Sequence, residues 1–478
     1  MPKLVLLWTD LVIFLMLVGM GFYIAHARKS PTLRAAWRYV GREPAAMCAF
    51  VVLLFFGAAT VLDSVHFRRA LPPAPGVVSV TVDYSTKTES LLDAVLARQV
   101  AMREKSYSVP LAAYGFLKES ENVDGKIERV HPRLVNGGAH LKDPDAEWTR
   151  DVLSRVAKGA VGGALFAFAL AVFVAAGLAR SGDGNIAHSW RLIAEDRTSM
   201  PWRAMLITAA CMAVLFGVAM ALMNQYHVLG TDRTGNDVLY QAMKSIRTAF
   251  VIGTLTTIAT LPFAIALGVT AGYFRGWVDD IIQYVYTTLS SVPNVLLIAA
   301  CVLMIQVFID KNPQLFETGA ERSDLRLFFL CIILGLTGWA SLCRLLRAET
   351  LKLRELDYVQ AAQAFGAGPW RIMIKHILPN VAHLVLITTV LDFSALVLYE
   401  AVLSYVGVGV DPSMNSFGGM INLARSEMSR EPAVWWSFAS AFVFMVVLVL
   451  AANLVADAVR DAFDPRARKF RVKKPVLA

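Results

Sequence analysis

The run Trp435–Ala456, WWSFASAFVFMVVLVLAANLVA, contains no charged side chain. A helix of about 20 such residues crosses the roughly 30 Å hydrocarbon core of a bilayer. The run sits inside a stretch at 434–457. Eight more of similar character precede it, at about 4–25, 45–62, 157–179, 204–223, 249–272, 281–306, 327–345 and 380–404. Several carry glycine, which lipid-embedded helices tolerate because neighbouring helices re-satisfy the backbone. Of the 478 residues, 56% are hydrophobic and 17% charged, a balance that excludes an ordinary soluble protein. The reading is an all-α polytopic membrane protein with about nine transmembrane helices.

The net charge of +9 is spread over particular loops and not over one face or tail, which argues for a positive-inside bias and against nucleic acid. The link Ala25–Pro44 holds Arg28, Lys29, Arg34, Arg38 and Arg42 against Glu43. The loop after the seventh span holds Arg344, Arg347, Lys352, Arg354, Arg371 and Lys375, and the C-terminal tail is equally basic from Arg460 to Lys474. These three segments are expected in the cytoplasm, which puts the N-terminus in the periplasm and the C-terminus inside. Ala25-His26-Ala27 also fits a signal-peptide cleavage site; cleavage there would reverse every basic loop, so the uncleaved reading is preferred. Asp10, inside the first span, calls for a buried partner or access to water. The five cysteines all lie in or at the ends of spans, with no CxxC pair and no Cys/His cluster, so neither a periplasmic disulfide nor a metal site is expected.

Residues 63–156 form a polar insert. Val78, Val80, Val82 and Tyr84 alternate with polar residues as in a half-buried strand. Glu89–Glu104 has the apolar spacing of an amphipathic helix. Asp143-Pro144 reads as an N-cap with proline at the first helical position, opening a second helix with Trp148, Val152, Leu153 and Val156 that runs into the third span. A small α+β periplasmic domain is expected.

The loop from Asp357 to Pro379 suggests a short amphipathic helix, a glycine turn, a second helix and a proline opening the eighth span. Small residues Ala361, Ala362 and Ala364 allow close approach of a partner, and Gly366 can take positive φ and end the first helix. These are features of a helix that docks in a groove. The loop resembles the E-A-A…G…I-x-L-P loop of ABC-importer permeases, with Gln360 in place of the usual glutamate and Ile377-Leu378-Pro379 closing it. His227–Asp237, HVLGTDRTGND, is similar to the H-x-x-G-T-D-x-x-G-x-D segment of the dipeptide, oligopeptide and nickel type. Gly272–Asp279 is similar to its G-Y-x-G-G-x-x-D turn with Arg275 replacing one glycine, and Glu400–Val410 to its E-A-x-L-S-F-L-G-L-G motif. Asp464-Pro465-Arg466 resembles its terminal D-P-R.

The resemblance implies a six-helix permease core over 204–466, with two added helices in 1–62, a third in 157–203, and a basic tail at 467–478. It implies a non-catalytic subunit that works with a second homologous permease, two ABC ATPase subunits and a periplasmic substrate-binding protein in the bacterial inner membrane. The cargo implied is a peptide, or a nickel complex in the alternative. ATP and Mg would be bound by the partner ATPases, since this chain has no G-x-x-x-x-G-K-[ST] loop. ATPase coupling falls to Tyr358, Gln360, Ala361, Ala362, Gly366, Ile377, Leu378 and Pro379. Gly230, Thr231, Asp232, Gly235, Asp237 and Asp279 are the other motif positions. Asp392 and Glu400, carboxylates within a span, are candidates for the translocation path, with a structural hydrogen-bonding role as the alternative for Glu400. A secondary transporter would need interrupted internal repeats, and a receptor would need a cytoplasmic signalling domain; neither is visible.

Overall fold

The computed structural model describes residues 2–71, 83–123, 126–181 and 185–463. The chain opens with strand β1 (Lys3–Val5), α1 (Trp8–Lys29), α2 (Pro31–Val40) and α3 (Pro44–Asp63). The insert follows with β2 (His66–Arg68), β3 (Glu89–Ser90), α4 (Leu91–Val95), α5 (Ala97–Ala101), β4 (Glu119–Val123) and β5 (Lys126–Val130). Then come α6 (Pro144–Ser181), α7 (Ile186–Ala194), α8 (Trp202–Leu222), α9 (Val238–Phe274), α10 (Gly276–Ser291), α11 (Asn294–Lys311), α12 (Gly319–Gly338) and α13 (Ala340–Arg354). The last are α14 (Asp357–Ala364), α15 (Pro369–Ile372), α16 (Leu378–Tyr405), α17 (Phe417–Met428) and α18 (Trp436–Phe463). Among the described residues, nine helical stretches are long and apolar enough to cross a membrane.

Local chemistry sets many of these boundaries. Prolines occupy the first turn of α2 and α3, where the missing N–H has no intrahelical partner to lose, and Pro379 stands where the wide turn over Met373–Ile377 passes into α16. The side chains of Asp237, Thr318 and Ser416 accept from backbone N–H groups at the starts of α9, α12 and α17. Asp143 caps α6, its carboxylate accepting from Asp145 N at 3.1 Å, and α6 runs unbroken into the third span.

Three expectations change. The span expected at 281–306 is two helices, because Val292-Pro293 breaks it. The helix expected over Glu89–Glu104 starts only at Leu91, since Glu89 and Ser90 pair with β2, and it divides at Leu96. The first span begins at Trp8 rather than residue 4, because Lys3–Val5 pairs antiparallel with His66–Arg68. Of the expected strand at 78–84, only Asp83 and Tyr84 are described, Tyr84 in a bridge to Ala70; the D-P-R ending and the tail at 467–478 lie outside the described residues.

The insert is built on β1-β2-β3, a β4-β5 hairpin and short helices. The connectivity places β1, the insert and the start of α9 on one face of the bundle. On the other face lie α2, α7 and the α13–α16 connection, with Ala36 and Val40 of α2 packed on Ala458 and Ala462 near the end of α18. The N-terminus and the end of α18 are therefore on opposite faces. The central element is α9, whose side chains enter three apolar clusters: with α13 and the α14–α16 connection, with α3, α17 and α18, and with α1, α11 and α12. Helices α1 and α3 are thus packed into the same core. Conversely α8 packs closely on α6: a Cβ on Gly159 would lie 2.5 Å from the Gly217 carbonyl oxygen.

Candidate functional site

The 357–379 loop has the predicted helix–glycine–helix form. Gly366 ends α14 at φ +79°, and Pro369 opens α15. A wide turn over Met373–Ile377 leads to Leu378-Pro379 and α16. The unit is held from beneath by Val359, Ile372 and Ile377, each fully buried against Ala264, Cys343 and Leu346. Tyr358 OH accepts from Asn380 Nδ2 at 3.0 Å, closing the unit, while Gln360 is exposed and donates to the Glu355 carbonyl at 3.2 Å. Ala361 and Gly366 are exposed and Ala362 is half-buried. Four large apolar side chains face outward on the same unit: Tyr358, Phe365, Trp370 and Ile374, with Phe365 92% exposed. A contiguous exposed apolar patch of this kind marks a surface that meets another protein or the membrane.

Beside this loop, Asp279 accepts two hydrogen bonds from Arg347, at 2.5 and 2.6 Å, joining α10 to α13. That paired guanidinium holds the Asp279 carboxyl below its ordinary range.

On the opposite face a cavity of about 730 Å³ opens between the start of α9, α11, α12 and the 404–423 segment. Its polar lining includes Asn236, Gln241, Gln306 and Asn422, and Asp411 is paired there with Arg326. Asp232, on the rim, accepts from Thr234 N at 2.8 Å, Asn236 N at 2.9 Å and Gln241 Nε2 at 2.5 Å.

The remaining residues of the 227–237 segment seat the insert. Gly230 and Gly235 both have positive φ, and a Cβ on Gly235 would lie 1.8 Å from the Glu104 carbonyl oxygen. Thr231 Oγ1 accepts from Ser108 N at 2.6 Å and donates to the Ser106 carbonyl at 2.8 Å. His227 lies between Asp237, 2.8 Å away, and Glu104, 3.5 Å away, and all three are buried. Burial alone would lower the His227 pKa, but the two carboxylates outweigh it and hold it at about 9. Glu104 also accepts from the backbone N–H groups of Val135, Asn136 and Gly137; burial would raise its pKa, yet His227 and these donors bring it to about 2.

A row of polar side chains continues from Asp237 down one side of α9, at the helical spacing Tyr240, Lys244, Arg247. Lys244 reaches Asp63 of α3 at 2.6 Å and Asp93 of α4 at 3.0 Å. Arg247, 4% exposed, reaches Asp10 of α1 at 2.6 Å and Asp324 of α12 at 3.3 Å. Of the two alternatives for Asp10, the structure gives buried partners: Arg247, and His66 with its Nδ1 2.7 Å away.

Glu400 is buried between helices: it accepts from Ser404 Oγ at 2.7 Å and from Gly418 N of α17 at 3.3 Å. It does not line the cavity. Asp392 is exposed on α16, and its side chain makes no hydrogen bond among the described residues.

The family described as binding-protein-dependent transport system inner membrane component matches residues 264–469. The oligopeptide transport system permease protein OppC of Mycobacterium tuberculosis is 31% identical over 245 residues, 51% of this chain and 78% of that protein. The chain belongs to this permease family. The glutathione transport system permease protein GsiD of Pectobacterium atrosepticum is 30% identical over 242 residues, 51% of this chain and 73% of that protein. A solved methionine ABC transporter, MetNI in inward-facing conformations, overlaps 48% of the permease and 96% of its own chain at 17% identity and TM-score 0.34, too low to bear on the fold.

Reading the permease by sequence missed Glu104 and Arg247, which hold its added segments to α9, and the outward aromatics Phe365 and Trp370. Glu104 lies in the insert, outside any motif. Arg247 sits just ahead of the apolar run that starts near 249, where hydropathy reads it as flanking charge. The aromatics were legible: both lie inside the loop already singled out.

Proposed function

We propose that this chain forms half of the translocation pathway of an ABC importer for di- or oligopeptides and docks on its ATPases through 357–379. The observation that carries this reading is the set of exposed Tyr358, Phe365, Trp370 and Ile374 on a unit anchored by Val359, Ile372 and Ile377. ATP and Mg are bound by two partner ATPase subunits; nucleotide binding there draws α14 and α15, and with them α9, α13 and α16, between inward- and outward-open arrangements. The basic face carrying this loop is cytoplasmic; the insert, the N-terminus and the polar cavity face the periplasm, where a substrate-binding protein delivers cargo to this chain and a second homologous permease.

Peptide cargo is supported by the names of the relatives. The lining agrees with it, because carboxamides such as Gln241, Gln306 and Asn422 can pair with backbone amides of any sequence. Asp392, exposed within a span, belongs on a face covered by the second permease or by the pathway. The test is reconstitution of the complete transporter in liposomes, following labelled oligopeptide uptake and ATP hydrolysis. Uptake that needs ATP and falls with Phe365→Asp supports the reading; uptake without ATPase subunits overturns it.

A further inference from the structure

An apolar groove of about 880 Å³ runs between α6, α7 and α8. Ala164, Phe168 and Ala171 of α6, Trp190 of α7 and Leu215 of α8 line it, and Arg203, in the first turn of α8, is its single charged lining residue. Because α6 leaves the insert face at residue 144 and α8 returns to it at 222, the Arg203 end lies on the opposite face, beside α7. From Arg203 to Leu215 the groove follows α8 for roughly 18 Å at about 1.5 Å per residue. That matches one leaflet of hydrocarbon, about 15 Å, and falls well short of the roughly 30 Å that a partner's transmembrane helix would occupy.

The polar end is equally specific. Arg203 is exposed and donates to the Ala194 carbonyl at 3.3 Å, which sets it at the mouth. Trp190 of α7 closes one side of the groove, packed edge-on against Phe168 with ring centroids 6.3 Å apart. The acids on this link are Glu195 and Asp196; Glu195 is engaged by Arg197 at 3.1 Å, and neither acid lines the groove.

We propose that the groove holds an acyl chain of one anionic phospholipid from the leaflet opposite the insert, with the lipid phosphate at Arg203. The length of the groove selects a lipid chain over a helix, and the cation at its mouth selects an anionic headgroup over a zwitterionic one.

The test uses the full chain in nanodiscs of mixed phosphatidylglycerol and phosphatidylcholine, followed by native mass spectrometry of the released protein. Wild type is expected to retain phosphatidylglycerol in preference to phosphatidylcholine. Arg203→Ala should cut that preference about fivefold while a chain is still retained, and Arg203→Lys should restore most of it. Ala167→Phe and Ala210→Phe, which fill the groove, should abolish retention of either lipid in protein whose elution and melting temperature are unchanged. No retained lipid in wild type, or a preference untouched by Arg203→Ala, overturns the proposal.

Discussion

Arg275 holds φ +57° and ψ −172°, backbone that glycine adopts freely and other residues rarely do, at the position where the G-Y-x-G-G-x-x-D pattern it resembles has glycine. Its ion pair with Glu355 is exposed at both ends and recovers little of the cost. Arg275→Gly should therefore raise stability by about 1 kcal/mol, read as a higher melting temperature; a lower one would show that the ion pair outweighs the strain. At the joint between insert and core, two groups set the pH response. The His227 pKa stands at about 9 against an ordinary 6.5, so its contribution is complete below pH 6.5 and lost as pH rises through 9. The Glu104 pKa stands at about 2 against 4.5, so its contribution is complete above pH 4.5 and lost as pH falls through 2. Protection of the Ser106 and Ser108 amides from hydrogen exchange should accordingly be greatest between those two ordinary values and weaken toward pH 9; Glu104→Gln should flatten the profile. The glycines of this joint were legible as a motif, but what they make room for was not. The backbone they admit, 104–108, is more than a hundred residues away in sequence and carries no pattern of its own.

The 357–379 unit was readable as an element because its determinants are local: small residues, a glycine at the turn and a proline at the next helix start. Substitutions there should separate into two classes. Phe365→Asp and Trp370→Asp touch only the outward face and should reduce co-purification of the ATPases without moving the melting temperature. Ile372→Asp buries a charge beside Leu346 and should unfold the unit itself. Gly366→Asp adds about 1–2 kcal/mol of backbone strain at φ +79° and should uncouple hydrolysis from uptake or block assembly; a Gly366→Asp transporter with normal uptake would remove the docking assignment. The elements that sequence reasoning placed poorly are those whose limits come from distant partners. Lys3–Val5 is too short and apolar to be told from the span behind it until β2 pairs with it. The 281–306 stretch stays apolar across Pro293, so hydropathy joins what the backbone separates.

At the scale of the molecule, the class and the nine stretches able to cross a membrane among the described residues were legible, since a bilayer imposes length and apolarity on each segment separately. How the crossings associate was not, because the pairs that fasten them join residues far apart. Arg247 is the clearest case, lying between Asp10 and Asp324. Arg247→Met leaves two carboxylates without their cation and should cost about 3–5 kcal/mol, detected as faster proteolysis in the α1–α2 link; adding Asp10→Asn and Asp324→Asn should return part of it. The same row on α9 has a consequence for how the protein is made. Synthesis delivers Asp10, Asp63 and Asp93 first, and the cations that neutralise them, Lys244 and Arg247, emerge only with α9. Until then Asp63 and Asp93 lack the cation that pairs with them and Asp10 has only His66, 2.7 Å away, so the N-terminal third gains its remaining counter-charges when α9 arrives. A nascent chain halted before residue 237 should therefore be cleared by membrane proteases faster than one halted after 274.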